Sequence, residues 1–235
     1  LTRIETLAEA FADVCAMDAP LNTRLAAYAS KLRELNFPFA DAYDDLVARL
    51  YSGEVGSAAP ALGDEMPPFL LPDRSGALVS LEELTSKGPI VLSFNRGHWC
   101  PFCRITLKTI AEHHDEIAQA GAEVVSIIPD RQQFTDDLRR ATQDTIRILT
   151  DIDSGYALSL GLVAWVGENL KTLMKGRGYH LDAFHGNDGW FLPVPATFVI
   201  ANDTRILARF VDPDFRRRME IDEILAAIKS SSSRR

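Results

Sequence analysis

The chain has 235 residues with 46% apolar side chains, enough for a substantial core without disulfide or metal staples. Its net charge of −8 argues against a nucleic-acid surface or an anionic membrane partner, both of which call for clustered Lys and Arg. Three cysteines are too few for a secreted disulfide framework and fit a reducing compartment, here expected to be the cytoplasm.

Residues 1–51 read as an N-terminal helical extension of three helices. Ile4, Leu7, Ala8, Phe11, Val14 and Cys15 recur at helical spacing. Leu21, Leu25, Tyr28, Leu32 and Leu35 repeat the pattern after Pro20, with Asn36 and Pro38 closing the helix, and Tyr43, Leu46, Val47 and Leu50 form the third stripe. Cys15 lies on an apolar stripe, so it reads as a small buried side chain before it reads as a resolving thiol. Arg3, Glu5, Glu9, Asp13 and Asp18 break up any signal-peptide core, and no stretch reaches the roughly 18 apolar residues of a membrane helix.

Residues 52–68 are rich in Gly, Pro and small side chains and read as a linker, which makes 69–235 the main domain. Within it, short strands are expected at 69–71 and 78–80 and one helical turn at 81–84. Strand 90–94, helix 101–120, strand 123–128, helix 131–141 and strand 146–149 follow. That alternation implies an α/β sheet with parallel strands and helices on its faces. A less regular stretch, 151–195, holds a helix near 168–175. Strands 197–201 and 205–211 and a helix through Ile221, Ile224, Leu225 and Ile228 complete the chain. The basic groups Arg216-Arg217-Arg218 and Arg234-Arg235 read as solvated or ion-paired.

The chemistry concentrates in Asn95-Arg96-Gly97-His98-Trp99-Cys100-Pro101-Phe102-Cys103-Arg104, where an apolar strand hands over to an amphipathic helix. Free N–H groups and about half a positive charge at a helix N-terminus favour a thiolate over a thiol. Cys100 and Cys103, one turn apart, lie on one face and need little rearrangement to close a disulfide. Arg96 and Arg104 flank them. Trp99 reads as packing against the strand end or as an apolar wall for substrate. His98 is placed either as a proton donor or as a surface histidine without duty. His113, His114, His180 and His185 show no metal-ligand spacing, and one Cys pair with a distant Cys15 falls short of a zinc set. Gly176-Arg177-Gly178 lacks the strand and the third glycine of a nucleotide loop.

Three pieces together resemble the alkyl hydroperoxide reductase/thiol-specific antioxidant (peroxiredoxin-like) branch of the thioredoxin-fold superfamily. They are the 62–76 segment with Leu62-Gly63-Asp64 and Leu71-Pro72-Asp73, the Arg-Gly-x-Trp-Cys-Pro-x-Cys signature at 96–103, and Leu192-Pro193-Val194-Pro195-Ala196-Thr197-Phe198. Val211-Asp212-Pro213-Asp214-Phe215 and the last helix are similar too. The resemblance implies a thioredoxin-like fold, a central mixed sheet flanked by helices, and a thiol-based oxidoreductase. Its cycle would reduce a hydroperoxide through a Cys100/Cys103 disulfide with a thioredoxin-like or small-thiol reductant and no cofactor. A protein-disulfide oxidoreductase and a redox-sensing interaction module are the alternatives.

The register of peroxiredoxins makes Cys103 the attacking sulfur, that of thioredoxins makes it Cys100, and both orders stay open. The chain departs from the peroxiredoxin pattern in lacking Pro-x-x-x-Thr-x-x-Cys and an Arg directly before Ala196-Thr197-Phe198, and from thioredoxin in having Phe94 at the place of the buried acid. Pro195 is expected to be cis, as in the thioredoxin fold, beside the thiols. The helical extension is expected either to cap its own sheet or to pack on a second copy in a homodimer.

Overall fold

A computed structural model describes residues 6–35 and 37–232, without the side chains of the last two. Ile4, Asn36 and Arg234-Arg235, named above, lie outside the described residues, as do Arg3 and Glu5. The extension forms α1 (Leu7–Cys15), α2 (Leu21–Glu34) and α3 (Phe39–Ser52). Thr6 and Glu9 close a capping box on α1. A hairpin of β1 (Leu70–Pro72) and β2 (Leu78–Ser80) leads into α4 (Leu81–Thr85).

The alternating part follows as β3 (Ile90–Phe94), α5 (Pro101–Glu112), α6 (His114–Gln119), β4 (Glu123–Ile128), α7 (Asp136–Ala141), β5 (Arg147–Thr150) and α8 (Gly155–Ser159). The single helix expected over 101–120 is two, because the turn tightens at His113, whose amide bonds Ile110 three residues back. The helix expected from 131 begins as a 3-10 turn, Gln132–Phe134, and becomes α-helical only after Thr135, whose hydroxyl donates to the Gln132 carbonyl.

The irregular stretch holds β6 (Val163–Trp165), α9 (Glu168–Gly176), α10 (Leu181–His185) and β7 (Phe191–Pro193), with β6 and β7 paired antiparallel. Then come β8 (Ala196–Ile200), β9 (Ile206–Val211) and α11 (Ile221–Ser232). The central sheet has the order β5-β4-β3-β8-β9; β3 runs parallel to β4 and antiparallel to β8. Helices α5, α6, α7 and α11 cover one face, and the β1–β2 hairpin, α4 and α8 cover the other. All five residues of β3 are therefore buried, which explains an apolar run interrupted only by Ser93.

The three N-terminal helices pack on the chain's own α5 and α9 and share a third apolar cluster with Trp99, the two active-motif cysteines and Phe215. Arg24 of α2 joins Glu112 of α5 at 2.7 Å. Glu220 accepts the first two amides of α2, from Leu21 at 3.0 Å and Asn22 at 2.9 Å. A helix that begins at Pro20 without a side-chain cap thus finds one 200 residues further on.

Candidate functional site

The site is built where β3 ends. Its pairing with β4 continues one residue further, through the Asn95 amide to the Ile127 carbonyl at 2.9 Å, and the Asn95 side chain bonds Ser93 and Ser126. The turn that follows is fixed by Gly97 at φ 138°, a conformation that L side chains rarely adopt. A Cβ there would meet Trp99 Nε1 at 2.5 Å and an Asp130 carboxylate oxygen at 2.8 Å. Asp130, fully buried after β4, accepts the His98 amide at 2.6 Å and His98 Nδ1 at 2.9 Å, with His185 Nε2 3.3 Å from its other oxygen. Burial would raise its pKa, but the two histidines outweigh it and hold the carboxyl below its ordinary range.

Cys100 is the N-cap of α5 and Pro101 its first helical residue. No side-chain cap closes this helix start, and of its first-turn amides that of Cys103 acts on the Cys100 sulfur. Both thiols are free and each is only 1% exposed. The Arg96 amide donates to Cys103 Sγ at 3.3 Å, and Arg218 Nη2 lies 3.8 Å from the same sulfur. For Cys100, burial pulls the pKa upward; the Cys103 thiol, the Arg96 charge, the Cys103 amide and Arg218 together bring it down to about 6. Cys103 moves the other way, well above an ordinary thiol, because of burial and of the negative charge on Cys100. The pair therefore holds one proton and one charge near neutral pH, with the charge on Cys100.

The residues singled out in the sequence fall as follows. Arg96 is not solvated: it is 2% exposed, stacked 4.0 Å from the Phe215 ring centroid and near Trp99 and Tyr43, with no hydrogen bond to either terminal nitrogen. Trp99 packs on Tyr179 of the irregular stretch. Arg104 turns to the Phe11 ring of α1 and not to the sulfurs. His98 is no bare surface residue; its side chain is 18% exposed and fixed on Asp130. His185 is likewise buried, whereas His180 is exposed. Cys15 is buried and free.

Pro195 is not cis: the described residues contain no cis peptide bond. Its missing N–H falls just before the first ladder pair of β8, the ordinary position of a trans proline at a strand start, while the Val194 amide bonds Leu162 at 2.7 Å. Pro195 and Val194 line a narrow apolar cleft with Leu46, Leu192, Phe215 and Arg96.

Two site residues escaped the sequence. Arg216 and Arg217 are ion-paired as expected, with Asp44, Asp214 and Asp212. Arg218 instead is buried on Cys103, its run of three arginines hiding which one turns inward. Asp130 carried a weak signal: it follows a buried strand parallel to β3, and carboxyl ends of neighbouring parallel strands meet at one edge.

A dithiol at the helix start that follows the central strand of a mixed five-stranded sheet defines a thioredoxin-fold redox protein. Residues 62–209 match the family model of the AhpC/TSA family, and the chain belongs to that family. It is 30% identical to the chloroplastic peroxiredoxin Q of Sedum lineare over 104 residues, 44% of this chain and 55% of that protein. The match thus spans about half the length of the relative. The fold is shared with the peroxidoxin BcpB of Mycobacterium tuberculosis (23% identity, 72% of this chain and 96% of that one, TM-score 0.55). It is shared as well with reduced Prx3 of Vibrio vulnificus, solved with hydrogen peroxide (18% identity, 72% and 99%, TM-score 0.57).

Proposed function

We propose that the protein is a thiol-dependent peroxidase in which Cys100 attacks and Cys103 resolves. The Cys100 thiolate attacks one peroxide oxygen and the O–O bond breaks. The sulfur is oxidised to sulfenic acid, and the departing oxygen takes a proton to become water or an alcohol. Cys103, as thiolate, then attacks the Cys100 sulfur. An S–S bond forms, the S–O bond breaks, and hydroxide leaves to be protonated to water. An external dithiol protein or small thiol returns both sulfurs to the reduced state and is itself oxidised to a disulfide. A reducing compartment such as the cytoplasm supplies such donors.

The observation that carries this reading is an almost wholly buried Cys100 whose pKa is brought down to about 6, in a chain of the AhpC/TSA family. Burial does not separate the two redox readings, because closing the cycle needs an external thiol to reach the 100–103 disulfide, the same access that a protein-disulfide substrate would need. The lowered pKa serves either reaction, and membership of the AhpC/TSA family, with a peroxiredoxin Q among its relatives, favours the peroxide.

The test is to reduce the protein, add one equivalent of hydrogen peroxide, and follow thiol loss and intact mass alongside Cys100→Ser and Cys103→Ser. Fast closure of the 100–103 disulfide is expected in the parent, with a trapped sulfenic acid in Cys103→Ser only. Thiol loss no faster than that of free cysteine would overturn the proposal. Catalysed reduction of insulin disulfides would favour the protein-disulfide reading.

A further inference from the structure

Arg218 reaches the thiols from outside residues 62–209, the stretch matched to the family. It is 2% exposed, and its neighbours Arg216 and Arg217 each have a carboxylate. The acceptors of Arg218 are different: the Phe215 and Arg217 carbonyls on Nη1 and the Cys103 sulfur near Nη2, with no carboxylate among them. A buried cation without a paired carboxylate is costly, and the anions available to Arg218 are the thiolates: Cys100 in the resting dithiol and, 3.8 Å from Nη2, Cys103 once it ionises.

In the resting dithiol that thiolate does not form, because the charge sits on Cys100 and opposes a second one beside it. Oxidation of Cys100 to sulfenic acid removes that opposition. Burial still disfavours the Cys103 anion, while the Arg96 amide and the Arg218 guanidinium favour it. We propose that Arg218 governs the second half of the cycle, stabilising the Cys103 thiolate that attacks the Cys100 sulfenic acid. The inference rests on the order of attack given above.

The segment is held for this task. The Arg218 amide donates to Asn22 Oδ1 at 2.9 Å, and Asn22 Nδ2 donates back to the Arg218 carbonyl at 2.8 Å. Phe215, whose carbonyl holds Nη1, packs edge-to-face on Phe102 between the two cysteines. The guanidinium is thus aimed by α2 and by the apolar cluster, not by a partner acid.

The experiment separates the two steps. At pH 8, where Cys100 is already ionised, reduced protein is mixed with one equivalent of hydrogen peroxide, sulfenic acid is trapped with dimedone, and disulfide is read by intact mass. In Arg218→Met, sulfenic acid should form within about twofold of the parent rate, while closure slows about tenfold or more and dimedone adduct accumulates, as expected for a loss of about one pKa unit of thiolate stabilisation. Arg218→Lys, which keeps the charge, should restore most of the closure rate. If Arg218→Met does not fold by circular dichroism, Arg218→Gln replaces it, retaining a donor to the carbonyls without charge. Equal slowing of both steps, or closure unchanged in a folded neutral variant, would overturn the proposal.

A failure of the order of attack shows itself elsewhere, as sulfenic acid trapped on Cys103 in Cys100→Ser. The role of Arg218 is then read directly in that background, by thiolate absorbance near 240 nm. Neutralising Arg218 should move the Cys103 titration up by about one unit or more. No movement overturns the proposal, and a shift combined with first attack by Cys103 overturns it too, since Arg218 would then serve the first half of the cycle.

Discussion

Asp130 Oδ2 holds both the backbone amide and the Nδ1 of His98, at 2.6 and 2.9 Å, and so ties the end of β4 to the loop that carries the cysteines. Replacing it by Asn keeps the shape and removes the charge. Asp130→Asn should lose about 1–3 kcal/mol of stability at neutral pH, the cost of a buried, charge-assisted set left incomplete. The carboxyl titrates below its ordinary value, so its contribution is present above about pH 4 and disappears as the pH falls through the folded pKa. Urea unfolding of parent and variant should show a gap that narrows only in acid; a gap that does not depend on pH down to pH 2 would contradict the assignment.

Gly97 is the tightest point of the same loop. Gly97→Ala forces a left-handed conformation on alanine and drives its methyl into Trp99 and Asp130. A loss of roughly 1–3 kcal/mol from backbone strain alone is expected. Thiolate absorbance should fall with it, because the loop carries the Arg96 guanidinium whose charge lowers the Cys100 pKa; full stability with an unchanged thiol titration would refute this account.

Thiol oxidation should follow the Cys100 thiolate. Its pKa of about 6 predicts a rate that rises through pH 6 and levels off by about pH 8. Since this value lies below that of an unfolded cysteine, ionisation of Cys100 contributes stability that builds between pH 6 and the ordinary thiol range of about 8.5 and is lost as the pH falls through 6, whereas above that range the raised Cys103 works against the folded state. Arg96→Met removes a large part of the depression and should move the midpoint up by about one unit, slowing the reaction at pH 6 about fivefold. An unshifted profile would show that the guanidinium does not act on the sulfur.

Phe102 lies between the cysteines in a cage of Tyr28, Tyr43 and Phe215, with centroids 5.4, 6.1 and 5.6 Å away. Phe102→Ala should cost about 3–5 kcal/mol and Phe102→Leu much less, measured by chemical denaturation. Equal effects would mean that the cage collapses around the smaller side chain.

Local chemistry made much of this molecule readable. The apolar run of β3, Pro101 at the helix start and the Cys pair one turn apart each follow from neighbours in the chain, and the structure places them together. The Leu78–Ser80 and Glu123–Ile128 strands fall where the periodicity puts them. What escaped was set by tertiary contact. The buried state of Arg96 depends on Phe215, that of His185 on Asp130, and the inward turn of Arg218 on Asn22, none of them within reach of a local pattern. Pro195 misled for the opposite reason, since the resemblance supplied an isomer that the local backbone does not adopt.

The clasp between α2 and the Arg218–Glu220 segment also orders events during synthesis. Asn22 waits 196 residues for its partner, so at about 5–20 residues per second the helices that cover the thiols stay unlatched for roughly 10 s or more after they emerge. Until then the nascent chain has its cysteines without Arg218 and without a closed roof. Protection and reactivity are completed together, by the same late stretch, so the protein becomes a competent dithiol only once its early helices have been secured.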